Sequence, residues 1–249
     1  MKNELKNHLA TQRFFACDAA QLQAAISASL DDVTIDDFFT FRKPAQVVDG
    51  VGIVSVQGML TDNVPAIYEK LGIVTRYETI RAEIESVILA GATALVLNVH
   101  SGGGSVNGAI ELSRFIASLD MPTASMVRSC ACSAAYMLTA ATKRIAIKET
   151  AQIGNIGTII SWDDYTGFLA SMGIEPKAIT NEGASLKSTF HLEPNEEQLA
   201  FLQESANQHG ETFQKFVSEQ RPNLDPEVFK AGWYSGEKAI ALGLADEIF

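Results

Sequence analysis

Residues 93–119, "TALVLNVHSGGGSVNGAIELSRFIASL", carry the reading that decides the fold. The opening "TALVLNV" is a continuous apolar run, the pattern of a strand buried on both faces. Three glycines (Gly102, Gly103, Gly104) follow as a turn, and "NGAIELSRFIASL" follows as a helix. Working outward, "VGIVSVQGML" (51–60) is a β-branched run that reads as another buried strand. "YETIRAEIESVILAG" (77–91) puts Tyr77, Ile80, Ile84 and Ile88 on one helical face, with Gly91 as a stop signal. Downstream, "TASMV" (123–127) is a third strand and "RIAIK" (144–148) a fourth. Between them "RSCACSAAYMLTAA" (128–141) reads as the start of a buried helix made of small residues. Strands alternating with helices in this way predict an α/β fold with right-handed crossovers and a largely parallel sheet.

The C-terminal third continues with helices. "EPNEEQLAFLQESANQHGETFQKFV" (193–217) is long and amphipathic, with Leu199, Leu202, Ala206, Phe213 and Phe216 near one face. "DPEVFKAG" carries Asp225 as a cap and Pro226 at the first helical position. "GEKAIALGLADEIF" predicts a short helix, a glycine stop and a closing strand. Residues 1–48 form an appendage with a helical patch at "AAQLQAAISASL", and residues 49–249 form one domain.

Composition excludes several functions. The 249 residues carry a net charge of −11, which argues against a phosphate-tracking nucleic-acid binder or an anionic-membrane binder. Three cysteines (Cys17, Cys130, Cys132) give an odd count without a disulfide framework, and a reducing, cytoplasmic setting is the simpler expectation. Cys130 and Cys132 stand too close for C-x-x-C metal spacing, and no H-E-x-x-H occurs. No run of 18 apolar residues is present, so neither a signal peptide nor a transmembrane segment is read.

Two segments bear chemistry. The glycine turn fails the dinucleotide fingerprint, because Asn107 stands where the third glycine belongs, and it fails the P-loop, because Ala109 and Ile110 replace Lys and Ser/Thr. What remains is a tight βα turn or a loop that points N–H groups at a developing oxyanion. Ser133 falls at a helix start directly after a strand, where its hydroxyl would be exposed near the C-terminal edge of a parallel sheet. The Ala134 N–H would face whatever Ser133 attacks. The same small residues also suit close helix packing.

"SGGGSVNGAIELSRFI", "SCACSAAYMLTAATKRIAI", "IGNIGTII", "YTGFLASMGI" and "YSGEKAIALGLADEI" occur in one order across residues 50–249. Together they resemble the serine peptidases of the signal peptide peptidase A family, especially its phage head-maturation branch. The resemblance implies a Clp/crotonase-like fold and a Ser–Lys dyad without metal or cofactor. Its small-A-S-(G/A)-(G/A)-Y motif falls on Cys132, Ser133, Ala134, Ala135 and Tyr136, which makes Ser133 the nucleophile and favours it over Cys132. Its S-P-G-G turn falls on Ser101, Gly102, Gly103 and Gly104, with Gly102 in place of proline. The oxyanion hole would then be the N–H groups of Gly103 and Ala134.

A serine needs a base. There is no histidine between Ser133 and His191, so a Clp-type triad is not expected, and His100 reads as a strand-end residue. The family places its lysine some fifty residues downstream in a loop after a strand. Here "PKAIT" (176–180) would be that strand and "NEGASLKSTFHLEP" the loop, making Lys187 the base. Bringing a lysine from about 10.4 to near 7 takes roughly 4–5 kcal/mol, so an apolar wall from Leu186, Phe190 and Leu192 is expected around it. Where the family has G-S-I-G, this chain has Gly154, Asn155, Ile156 and Gly157, so Asn155 would orient the lysine. Asp163 and Asp164 read as a helix cap.

The resemblance implies a homo-oligomeric endopeptidase that processes scaffold, capsid or portal proteins and itself, with no nucleic-acid or membrane partner. A crotonase-like acyl-CoA enzyme and a catalytically weakened capsid-assembly component are the alternatives.

Overall fold

The computed structural model describes residues 15–17, 44–62, 64–70, 72–187 and 193–249. The helical patch expected at residues 19–30 lies outside them. In chain order the strands are β1 (Phe15–Cys17), β2 (Gln46–Val48), β3 (Val51–Thr61), β4 (Val74–Arg76), β5 (Ala94–Ser105), β6 (Thr123–Cys132), β7 (Arg144–Ile147), β8 (Gln152–Gly154), β9 (Trp233–Tyr234) and β10 (Glu247–Ile248). The helices are α1 (Ala66–Lys70), α2 (Tyr77–Leu89), α3 (Ala109–Ala117), α4 (Ala134–Ala140), α5 (Thr166–Ser171), α6 (Glu196–Gln220) and α7 (Gly236–Ala241), with a 3₁₀ turn at Pro226–Lys230.

These strands form a sheet in the order β10-β7-β6-β5-β3-β2, and the contacts β3–β5, β5–β6, β6–β7 and β7–β10 are all parallel. The predicted α/β architecture with a largely parallel sheet is therefore the observed one. The antiparallel contacts are β2 on β3 at the end of this order and, off it, β8 on β9 and β1 on β5. The apolar strand predicted at "TALVLNV" buries Leu95, Leu97 and Val99. α2 packs on the neighbouring β3 and adds Tyr77, Ile80, Ile84 and Val87 to the same core, and Ile88 is only partly buried at the rim. Each fully buried Ile of this set contributes about 1.5–3 kcal/mol of transfer free energy. α6 is capped by Asn195 and Gln198 in a reciprocal capping box and buries Leu202, Phe213 and Phe216, while Leu199 stays exposed.

Three expected elements differ. The glycine segment is not a turn: β5 runs through Gly102, Gly103 and Gly104 to Ser105, with a register shift against β3 and β6. It stays a strand because glycine lets two backbones close in. A Cβ on Gly104 would lie 1.8 Å from the Leu60 carbonyl oxygen, so no other residue fits there. The third strand extends past "TASMV" to Cys132, so "RSCAC" is strand and the small-residue helix is α4 alone. Pairing of Cys130–Cys132 with β8 supplies the hydrogen bonds that carry it on. "PKAIT" is not a strand. It has no pairing partner among the described residues, and Ile179 is 99% exposed.

The small residues of α4 serve packing as well as position. Every residue from Ala134 to Ala140 is buried, and the helix lies against β5, α3 and α6. Tyr136 is fully buried, its hydroxyl donates to Leu244 O at 3.2 Å, and burial pushes its phenol well above the ordinary range. At the sheet's end Arg221 and Arg144 bracket the closing strand through Asp246 and Glu247.

Candidate active site

Ser133 stands between the end of β6 and the start of α4, with φ 55° and ψ −127°. A serine in this conformation costs on the order of 1–3 kcal/mol, and the cost persists only where neighbours impose it. They do: Ser133 N–H donates to Gly154 O at 2.8 Å, and Ser133 O accepts from Met137 N–H at 3.0 Å. The strand on one side and the helix on the other leave the residue no relaxed alternative.

The serine is only 1% exposed, not open at the sheet edge as its sequence position suggested. The longer β6 explains this. Ala131 pairs with Ser101 of β5 and Cys132 with Gly154 of β8, so Ser133 emerges between two strands rather than on a rim. Ala134 is the first residue of α4, and its N–H therefore has no acceptor within the helix. A helix start also carries positive partial charge, which suits a developing oxyanion.

Gly103 lies on the same stretch of β5, two residues past Ser101, with φ 108°. Its N–H donates to Ser101 Oγ at 3.1 Å, and that hydroxyl donates in turn to Gly58 O at 2.5 Å. In this arrangement the Gly103 donor is committed to Ser101. Asn155 follows Gly154 directly, with φ 54°, and its N–H donates to Gly232 O at 2.8 Å. Ser133, Ala134, Ser101, Gly103 and Asn155 are thus drawn together by adjoining strands.

Lys187 is not drawn in with them. It ends a turn whose N–H donates to Ala184 O at 3.0 Å, and its own carbonyl accepts from Gln198 Nε2 at 3.1 Å. Its side chain is exposed, and so is Leu186 at 38%, so the expected apolar wall is not built on that side. Phe190 and Leu192 lie outside the described residues. Among the described residues no hydrogen bond joins the Lys187 ammonium to Ser133 or Asn155. The cap position of α5 is Tyr165, not Asp163 or Asp164; Asp164 stands one residue earlier, its carboxylate accepting from Thr166 N–H at 2.9 Å and from the Thr166 hydroxyl. His100 is an exposed residue within β5.

Three features escaped the sequence. Ser101 ties the glycine segment to Gly58 across 43 residues, and Tyr77 hydroxyl donates to Ser105 O at 2.6 Å from α2. The Gly154 carbonyl that fixes Ser133 belongs to a three-residue strand, too short to leave a periodic signal. A cleft of about 360 Å³ lined by Asp62, Arg76, Tyr77, Arg81 and Glu111 lies apart from all five predicted site residues. Among the described residues no cluster of His, Cys, Asp or Glu is arranged to hold a metal, and no helix is long and apolar enough to cross a membrane.

The chain is similar in sequence to known proteins. Capsid assembly protease C of Escherichia phage lambda is 26% identical over 209 residues, covering 82% of this chain and 47% of the relative. A putative signal peptide peptidase SppA of Enterococcus faecium is 29% identical over 163 residues, covering 62% of this chain and 46% of the relative. The chain spans about half the length of the curated relatives it matches. A solved membrane-bound stomatin-specific protease aligns at a TM-score of 0.47 and 13% identity, over 79% of this chain and 78% of that one. The model of the family described as Peptidase family S49 matches residues 117–249, which include Ser133, Ala134, Asn155 and Lys187. By that match over more than half its length, this chain belongs to peptidase family S49.

Proposed function

We propose that the protein is a serine endopeptidase with a Ser133–Lys187 dyad, acting on scaffold, capsid or portal proteins during phage head assembly and on itself. The observation that carries this reading is the imposed conformation of Ser133 at the strand–helix junction. Ser133 Oγ attacks the peptide carbonyl, Lys187 accepts its proton and returns it to the leaving amine, and the Ala134 N–H receives the oxyanion. Gly103 adds a second donor once its N–H turns from Ser101 Oγ, and Asn155 orients the lysine. Family membership supports the peptidase chemistry, and similarity to capsid assembly protease C of phage lambda supports the substrate class.

The dyad requires Lys187 to leave water, since only the neutral amine accepts a proton. The segment around it supplies material for that step. α5 buries no residue, and Phe168, Met172, Ile174 and Ile179 are all exposed. An apolar surface of this kind supports a homo-oligomer in which neighbouring copies cover this arm, residues 166–187, and dry the lysine.

The test is co-expression with scaffold and capsid proteins, read by intact mass. Cleavage by the wild type that falls at least ~10³-fold with Ser133→Ala and with Lys187→Ala is the expected result. Identical masses for wild type and Ser133→Ala would overturn the peptidase reading and favour an assembly component that keeps the fold.

A further inference from the structure

The edge of β5 beyond Ser101 has an occupant that the catalytic reading leaves unexplained. Along Gly103–Gly104, β3 holds one edge of β5 through Met59↔Gly103 and Leu60↔Gly104. The other edge belongs to β6 only as far as Ser101↔Ala131, because β6 then moves over to β8 and turns into Ser133. A strand has two edges, so whatever pairs next with Gly103–Ser105 lies in the lane that β6 vacates. That lane is filled by β1, antiparallel, with Phe15↔Ser105, Ala16↔Gly104 and Cys17↔Gly103.

Direction gives the pairing its meaning. β1 runs from Ser105 back toward Gly103, so its C-terminal end, Cys17, lies toward the segment that carries Ser133. A bound peptide that adds a strand to this edge makes its main-chain hydrogen bonds with the same backbone groups that β1 uses. An extended segment running in this sense presents its acyl side to the nucleophile.

We propose that Phe15–Cys17 is a tethered occupant of the peptide-binding edge Gly103–Ser105 and restrains the entry of substrate strands. The interpretation as substrate restraint rests on Ser133 being the nucleophile of a peptidase; the occupancy of the edge does not. Three paired residues make a weak strand, so a longer incoming peptide displaces it by forming more ladder bonds. The segment therefore sets a threshold for substrates without sealing the site.

The test uses the full chain with proline placed in β1. N–H groups in an antiparallel ladder alternate between facing the partner and facing away, so Ala16→Pro and Cys17→Pro between them remove a ladder donor whichever way the register points. Amide exchange is read first, in the Ser133→Ala background. We expect residues 102–106 to exchange at least ~10-fold faster in one of the two variants, with β7 and α6 unchanged. Unchanged exchange at 102–106 in both variants overturns the proposal. With active Ser133 present, the same variant is expected to lower KM for a peptide substrate several-fold at constant kcat; faster exchange with unchanged KM overturns the restraint. If no turnover occurs with any chain, the peptidase reading fails separately, and a fluorescent peptide of residues 11–20 decides the occupancy. Tighter binding of that peptide to the proline variant than to the unsubstituted chain supports the tethered occupant, and equal or absent binding overturns it.

Discussion

At Ser133 a residue is held where its own chemistry would not place it. The φ of 55° is tolerated by glycine far better than by any side chain, so the serine is retained at a cost in stability. Ser133→Gly is expected to raise unfolding free energy by about 1 kcal/mol relative to wild type, read by urea denaturation, while abolishing peptidase activity. Ser133→Ala keeps the strain and gains no such increment. A variant with glycine no more stable than wild type would show that the neighbouring bonds, not the residue, define the minimum. In the sequence, a motif marks Ser133 as the candidate nucleophile. Its burial was not legible, because the extent of β6 depends on a β8 partner twenty residues further on.

At the level of elements, the decisive contact is between β3 and β5. Gly104 lies so close to Leu60 that a methyl group would overlap its carbonyl. Gly104→Ala is therefore expected to cost about 3 kcal/mol, measured as a drop in the urea midpoint, and to displace Gly103 with it. Periodicity located β3, α2, β5, α3, β7 and α6, since each carries a long apolar pattern that reports burial directly. The glycine segment was read as a turn because glycine weakens the strand signal whether it ends a strand or lets two strands close in. "PKAIT" failed for the opposite reason: its composition is strand-like, yet nothing in the described residues offers it an edge to pair with. The catalytic lysine candidate hangs from that segment, so its placement was the least legible part of the site.

For the molecule as a whole, the C-terminal closure reports on pH. Burial would raise the Asp246 carboxyl, but hydrogen bonds from Arg221 and the Ile145 N–H, with the charges of Arg221 and Arg144, bring it below the ordinary aspartate value. A depressed carboxylate contributes stability that is fully present above the unfolded value of about 3.9 and is lost as pH falls toward the lower folded value. Asp246→Asn is expected to cost about 1 kcal/mol at pH 7, with the difference from wild type shrinking as pH falls below the unfolded value of about 3.9 in urea titrations. A difference that stays constant over that range would assign the effect to packing instead.

The exposed Lys187 and its bare apolar arm have a consequence for when the enzyme works. If the amine is dried only by neighbouring copies, the rate per chain depends on how many other chains lie within reach. On the proposed reading, a protein of this design is silent when dilute and switches on where its copies are crowded, so crowding acts as its clock. Specific activity that climbs with protein concentration, and falls when Phe168→Asp breaks up the arm, is the expected signature; a rate per chain independent of concentration would remove the clock and leave each chain its own complete site.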